Sequence, residues 1–323
     1  MAKKIGLVGI YFPGAYDTLH ENVPEGFELV DALSPEAYGN LADCEYLISR
    51  LDIDPDIINH TPNVRFWQRW GAGFDHVDLK AWGERGIPIA TCPGVNSGIV
   101  AELAIMLMLA GYRNLLQINR QLLEGHFPRT EYFGRSFMIK GKTVGVLGLG
   151  HIGKKVAALV TAFGANVIYY DILRQPEQEE KFGYRFVDFD TLLEQSDIFT
   201  VHCPLNEETR GMISFEQFKK MKPSAMLINT ARGPIVDEAA MIDALTTGKI
   251  ATAGLDTYEH EPLPKDHPLL KLDNVVASAH AGGNTKDNDI NMVNYVYHNI
   301  VAFDRGEPLN TPGDIVNGEF LKK

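Results

Sequence analysis

KTVGVLGLGHIGKKVAALVTAFGANVIYYD, residues 142–171, is the stretch on which the fold turns. KTVGVLGLG (142–150) reads as a strand running into a glycine-rich turn. KKVAALVTAF (154–163) follows with helical periodicity, Gly164 stops it, and NVIYYD (166–171) is the next strand. Between strand and helix lies Gly148-Leu-Gly150-His151-Ile152-Gly153, a G-x-G-x-x-G. Alone that pattern is weak, but here it follows a strand and opens a helix. Asp171 then ends the next strand 18 residues after Gly153, close to the ~20-residue spacing of a dinucleotide site. Gly148 permits the tight turn, Gly150 lets backbone approach a pyrophosphate, and Gly153 lets helix and strand pack closely. The helix start at His151 and Ile152 offers unpaired N–H donors to phosphate. Asp171 suits the adenosine ribose hydroxyls and would repel a 2′-phosphate, so NAD is favoured over NADP. Arg174, three residues on, is the counter-argument.

Working outward, IGLVGI (5–10), EYLIS (45–49), RFWQRW (65–70) and IPIAT (87–91) are short strand-like runs alternating with amphipathic segments. LLEQSDIFTVHCP (192–204) reads helix then strand, and AMLINTA (225–231), ATAGLD (251–256) and NVVASAH (274–280) as strands. Asp237 is a good N-cap for DEAAMIDALTTG, with Gly248 as its stop. This alternation predicts an α/β protein with doubly wound parallel sheets. SGIVAELAIMLMLAGYRNLLQINRQLLEG (97–125) reads as one long helix able to bridge two domains. The tail, with a helix in NDINMVNYVYHNIVAFDRG (288–306), is expected to return to the first domain. The expected plan is a Rossmann nucleotide domain, 101–290, inserted into a flavodoxin-like substrate domain, 1–100 plus 291–323.

The length, 323 residues, favours two domains, and a net charge of −12 argues against nucleic acid, whose phosphates need a basic face. Three cysteines without zinc-like spacing predict no metal and no disulfide framework. In MAKKIGLVGIYFPG the apolar run stops at Pro13-Gly14, too soon for a signal peptide. The window Ile99–Tyr112 contains Glu102 and falls short of the ~20 residues of a membrane span. A cytoplasmic protein with no membrane partner is the expectation.

GLGHIG (148–153), HCPLNEET (202–209), FKKMKPSAMLINTARG (218–233), GLDTYEHEP (254–262) and SAHAGGNT (278–285) together resemble the D-isomer-specific 2-hydroxyacid dehydrogenase family. WGAGFDHVDL (70–79) and PGVNSGIVAE (93–102) extend the resemblance to the first domain. The resemblance implies NAD-dependent, reversible reduction of a 2-oxo acid to a D-2-hydroxy acid. It assigns catalysis to Arg232, Glu261 and His280. An imidazole suits protonation of the nascent alkoxide, with Glu261 beside it favouring the imidazolium and orienting the ring. A guanidinium holds the substrate carboxylate bidentately, where lysine would give only a point charge. The substrate would also meet Trp70 and the small-residue loop Gly71, Ala72 and Gly73. Val100, His202, Cys203, Pro204, Thr209, Thr230, Ala231, Asp256, His280 and Gly282 match positions along the cofactor. Arg232 and His280 each fall just past a strand end, where ligands sit in open α/β sheets.

Trp70 stands where small or polar residues are common in the family, and with Tyr11, Phe12 and Phe74 it either narrows an aromatic pocket or belongs to the core. Arg50 and Arg69 either meet a second anionic group, such as a phosphate, or are ordinary surface charges. Ala281 replaces a larger aliphatic and enlarges the space beside the nicotinamide. The resemblance further implies a homodimer built on the long helix, and a substrate held in a cleft between the two domains. The alternative function is an NAD(H)-sensing binding protein of the corepressor type on the same scaffold.

Overall fold

The computed structural model describes residues 2–50, 53–75 and 77–321; His76, within the 70–79 stretch quoted above, lies outside the described residues. The chain forms two compact units, Met1–Asn96 with Asn284–Lys323, and Ser97–Gly283.

The first unit opens with β1 (Lys3–Gly9), α1 (Pro13–Glu21), β2 (Phe27–Ala32), β3 (Tyr46–Arg50), β4 (Phe66–Arg69), α2 (Leu79–Glu84) and β5 (Ile89–Ala90). The strands are parallel, in the order β2-β1-β3-β4-β5, the flavodoxin-like order. Every residue of β3 and β4 is buried, as expected for central strands covered on both faces. Pro13 supplies a preset first turn to α1, and the Asp78 carboxylate caps α2 by accepting the Ala81 N–H at 2.9 Å.

In the second unit, α3 (Ser97–Tyr112) and α4 (Leu115–Leu123) precede the sheet. The long helix expected over 97–125 is therefore two helices, bent by 63°. Asn114 breaks it with a left-handed φ of 52°, a conformation asparagine tolerates better than most residues. Its side chain donates to the Arg135 carbonyl (3.3 Å) and Ser136 Oγ (3.2 Å), fastening the corner. There follow β6 (Thr143–Leu147), α5 (His151–Ala162), β7 (Asn166–Tyr170), α6 (Pro176–Phe182), β8 (Arg185–Phe186), α7 (Phe189–Gln195), β9 (Ile198–Val201), α8 (Phe215–Lys220), β10 (Met226–Asn229), α9 (Glu238–Thr246), β11 (Thr252–Leu255) and β12 (Val275–Ala277). All seven strands are parallel, ordered β12-β11-β10-β9-β6-β7-β8. Chain order reverses between β6 and β9, so the crevice at their carboxyl ends is where such a sheet takes its ligand.

The chain then returns to the first sheet through α10 (Lys286–Arg305). Met292, Val293, Val296 and Ile300 of α10 enter the core formed by Ile5, Leu7, Ile48 and Phe66. Asn299 donates to Gln68 Oε1 and to Asp314 Oδ2, each at 2.9 Å, with no solvent reaching it. Beyond α10, Ile315 bridges Ala90 in antiparallel fashion and covers the β5 edge. The second unit is thus inserted into the first. Among the described residues, no single helix is long and apolar enough to cross a membrane.

Candidate active site

The turn after β6 is shaped by contacts that only glycine allows. Gly148 has φ +90°, and a Cβ there would lie 2.7 Å from the Cys203 amide nitrogen. A Cβ on Gly153 would collide with the Gly148 carbonyl oxygen. Gly150 differs, since nothing lies within 4 Å of a Cβ placed on it. The backbone at Gly150 is therefore open on that side, as a pyrophosphate cradle at the start of α5 requires. At the end of β7, Asp171 Oδ2 accepts the Leu149 N–H at 2.6 Å, so the acid is anchored to the glycine turn.

Three polar atoms are buried without partners at the neighbouring strand ends: His202 Nδ1 after β9, Thr230 Oγ1 after β10 and Thr257 Oγ1 after β11. An unmet buried polar group costs free energy unless something fills the role. All three residues follow carboxyl ends of strands in the sheet that carries the glycine turn, the end at which such a sheet takes a dinucleotide. His202 is held by Thr200 Oγ1 at 2.8 Å on Nε2, and burial drives its pKa down to about 3, so the ring is neutral. Burial pushes the Cys203 thiol up to about 12, which makes it a wall and not a nucleophile. The Thr209 hydroxyl donates to the Pro204 carbonyl at 2.7 Å and ties its own loop.

Beyond β10, β11 and β12 lie the three expected catalytic groups. His280 Nδ1 is 2.7 Å from Glu261 Oε2, with the side chains 47% and 34% exposed. Burial opposes ionisation of Glu261. The His280 hydrogen bond, the Tyr258 N–H and the His280 and Arg232 charges outweigh it and hold the carboxyl below its ordinary pKa. Arg232 is thus within electrostatic reach of the pair. The loop carrying it is pressed against the next one: a Cβ on Gly233 would collide with the Tyr258 backbone. Asn229 braces the same loop, donating to the Arg232 carbonyl (2.9 Å) and accepting the Ala231 N–H (3.1 Å).

His280 itself adopts a left-handed φ of 49°, unfavourable for an L-residue with a ring. Asp256 holds it there. The Asp256 carbonyl accepts the His280 N–H at 2.8 Å, and its carboxylate, 1% exposed, accepts the Ala281 and Gly282 N–H groups, each at 2.9 Å. Val100 and Leu103 close over Gly282. Val100, Asp256, His280 and Gly282 are therefore brought together.

In the first unit, Gly71 takes φ +117° and its carbonyl accepts the Cys92 N–H at 2.9 Å. Trp70 meets Tyr11 edge-on at 5.8 Å and packs on the core. Arg50 and Arg69 are buried, 7% and 8% exposed, which removes the surface-charge reading. Arg50 donates to the Ile10 carbonyl (2.8 Å) and Asn284 Oδ1 (3.2 Å), and stacks 4.1 Å over Phe12.

Residues 105–282 match the model of the D-isomer specific 2-hydroxyacid dehydrogenase, NAD binding domain. The glyoxylate reductase of Korarchaeum cryptofilum is 38% identical over 284 residues, 87% of this chain and 85% of that protein. The chain belongs to the D-isomer-specific 2-hydroxyacid dehydrogenase family. A D-3-phosphoglycerate dehydrogenase of Archaeoglobus fulgidus is 42% identical over 81% of this chain, which spans only 49% of that protein. An NAD-complexed D-isomer specific 2-hydroxyacid dehydrogenase from Lactobacillus delbrueckii ssp. bulgaricus superposes with a TM-score of 0.79 at 28% identity, covering 97% of this chain and 100% of that one. As a 2-hydroxyacid dehydrogenase of this family the chain is an NAD-dependent oxidoreductase acting on CH–OH donors. These relatives favour the enzyme over the corepressor-type alternative. Two features of this 2-hydroxyacid dehydrogenase escape sequence reasoning: the Asp256 clamp on the His280 turn, and a carboxylate, Glu179, on Arg174.

Proposed function

We propose that the protein reduces a 2-oxo acid to the D-2-hydroxy acid, reversibly, with Arg232, Glu261 and His280 as its catalytic residues. The Glu261–His280 hydrogen bond at 2.7 Å, within reach of the Arg232 charge, carries this reading. An ionised carboxylate only accepts, so Glu261 assigns a proton to His280 Nδ1 and leaves Nε2 to exchange a proton with the substrate oxygen. When bound, NADH supplies the hydride. Arg232 holds the substrate carboxylate and polarises the adjacent carbonyl. The Gly148–Gly153 turn would hold the pyrophosphate and Asp171 the ribose, with His151, Ile152, His202, Thr230, Ala231 and Asp256 along the dinucleotide. On this reading 101–290 carries the cofactor, and 1–100 plus 291–323 is the substrate domain, with Trp70, Gly71, Ala72 and Gly73 as its proposed substrate-binding residues.

A cytoplasmic location agrees with three free cysteines. A second copy of this chain is the proposed partner: on and beyond α4, Leu123, Phe127 and Phe133 are 81%, 75% and 77% exposed, large apolar side chains that a partner would cover. Sedimentation velocity checks it, and a monomer at micromolar concentration refutes it.

The test is NADH oxidation across glyoxylate, pyruvate, hydroxypyruvate, phosphohydroxypyruvate and 2-oxoisocaproate. At least one of these acids should be turned over. His280→Ala should lower kcat by about a hundredfold or more, with NADH affinity nearly unchanged. Turnover of none of these acids by a chain that binds NADH would overturn the proposal.

A further inference from the structure

The end of β7 carries a cation as well as an acid. Arg174 lies three residues past Asp171, where a guanidinium is what accommodates a 2′-phosphate. Here it is already taken. Glu179 of α6 grips it twice, Arg174 Nε to Oε1 at 2.9 Å and Nη2 to Oε2 at 2.8 Å. That two-point fork is the geometry a phosphate would use.

Glu179 is better anchored than its partner: its side chain is 18% exposed against 62% for Arg174. The Tyr169 hydroxyl donates to Glu179 Oε1 at 2.8 Å and accepts the Gln175 N–H at 2.8 Å. Tyr169 is a fully buried residue of β7, so the carboxylate is tied to the strand that ends at the ribose acid. Phe186 of β8 supports the guanidinium from 5.8 Å. The Arg174 hydrogen bond, then that of Tyr169 and the Arg174 charge, overcome burial and keep Glu179 ionised below the usual carboxylate range.

We propose that Glu179 is a second determinant of dinucleotide choice, discriminating against NADP by occupying the guanidinium that a 2′-phosphate would take. Asp171 and Glu179 then act differently. Asp171 faces the ribose hydroxyls and repels the phosphate. Glu179 withholds a nearby guanidinium that would welcome it. Removing Asp171 alone leaves Arg174 engaged, so the two substitutions should be more than additive. The inference rests on the dinucleotide site described above, and NADH binding serves as its control.

The experiment is calorimetric titration of 2′,5′-ADP, NADPH and NADH into the parent, Glu179→Gln, Asp171→Ser, the double variant, and the double variant carrying Arg174→Gln. Glutamine still accepts from Tyr169, so the fold is spared. Releasing an exposed ion pair should tighten 2′,5′-ADP about fivefold in Glu179→Gln, with NADH unchanged. On the Asp171→Ser background the gain should exceed about tenfold, become steeper at low salt, and vanish with Arg174→Gln. If Glu179→Gln does not fold, Glu179→Asp, which draws the carboxylate back, should shift 2′,5′-ADP the same way. Unchanged 2′,5′-ADP affinity overturns the proposal. So does a gain that survives Arg174→Gln, because that gain would be a mere loss of negative charge. A parent that fails to bind NADH would overturn the dinucleotide site itself.

Discussion

Replacing Asp256 by asparagine separates holding His280 from simply being acidic near it. The carboxylate accepts two backbone N–H groups at 2.9 Å and is 1% exposed. An asparagine keeps one acceptor and turns an NH2 toward the other N–H. One charge-assisted bond is lost and one buried donor is left unmet, which costs about 2–3 kcal/mol of folding stability. The larger effect should be on turnover. The His280 backbone sits at φ 49°, a conformation costing roughly 1–2 kcal/mol for a residue with a side chain, so a loosened clamp lets the turn relax. A shift of the imidazole by about 1 Å costs on the order of a hundredfold in rate. Urea denaturation gives the stability, steady-state kinetics the kcat, and NADH titration the affinity; kcat at saturating NADH should fall by more than the affinity if Asp256 acts through His280. Asp256→Asn and Glu261→Gln should be less than additive in kcat, since both disorient one ring. A variant with the stability loss but parental kcat would refute the positioning role. Full additivity with Glu261→Gln would do the same.

His202 carries a pH signature. Its native pKa is depressed to about 3 against an ordinary 6.5, so below pH 6.5 the unfolded chain takes up a proton that the folded one refuses. Stability should therefore fall as pH drops from 6.5 toward 3, with this residue adding up to about 1.4 kcal/mol per pH unit. His202→Asn should flatten the stability curve over that window; parallel curves would remove His202 as its source. Gly153→Ala forces a methyl onto the Gly148 carbonyl, and should cost about 1–3 kcal/mol together with most of the NADH affinity. The matched control is Gly39→Ala, where a Cβ meets nothing within 4 Å and the change should stay within about 0.5 kcal/mol. Equal effects at the two glycines would refute the packing argument.

Legibility followed the range of the interactions. The β6–α5–β7 run could be read because period, helix stop and glycine spacing are all local and agree. Arg232, Glu261 and His280, the trio proposed as catalytic, were named from motif resemblance, and they fall at neighbouring loop ends because parallel strands deliver their carboxyl ends to one side. β2 went unread: FELVDA is an outer strand with Glu28 and Asp31 interrupting the apolar pattern. β8 is two residues long. The corner at Asn114 was hidden because LLQINRQLL (115–123) resumes helical periodicity directly after it; the available signal was asparagine as a left-handed stop. The Asp256 clamp spans 25 and 26 residues, and no local pattern reports that a carboxylate will meet two distant amides. Nor does PEQEEKF say which of its three glutamates reaches Arg174. The partners of Arg50 are likewise remote: Asn284 lies 234 residues away.

The insertion imposes an order on biosynthesis. The five strands of the first sheet leave the ribosome early, but the helix that seals one of their faces, α10, is encoded after all of Ser97–Gly283. At ordinary elongation rates that delay is roughly 10–40 s. Through that interval Ile5, Leu7, Ile48 and Phe66 lack the side chains that cover them in the finished molecule, while the second unit holds every strand of its own sheet and can close at once. The nascent chain thus carries a sticky, half-built layer at its leading end, a natural client for a holding chaperone, and the last segment made is the one that ends the dependence.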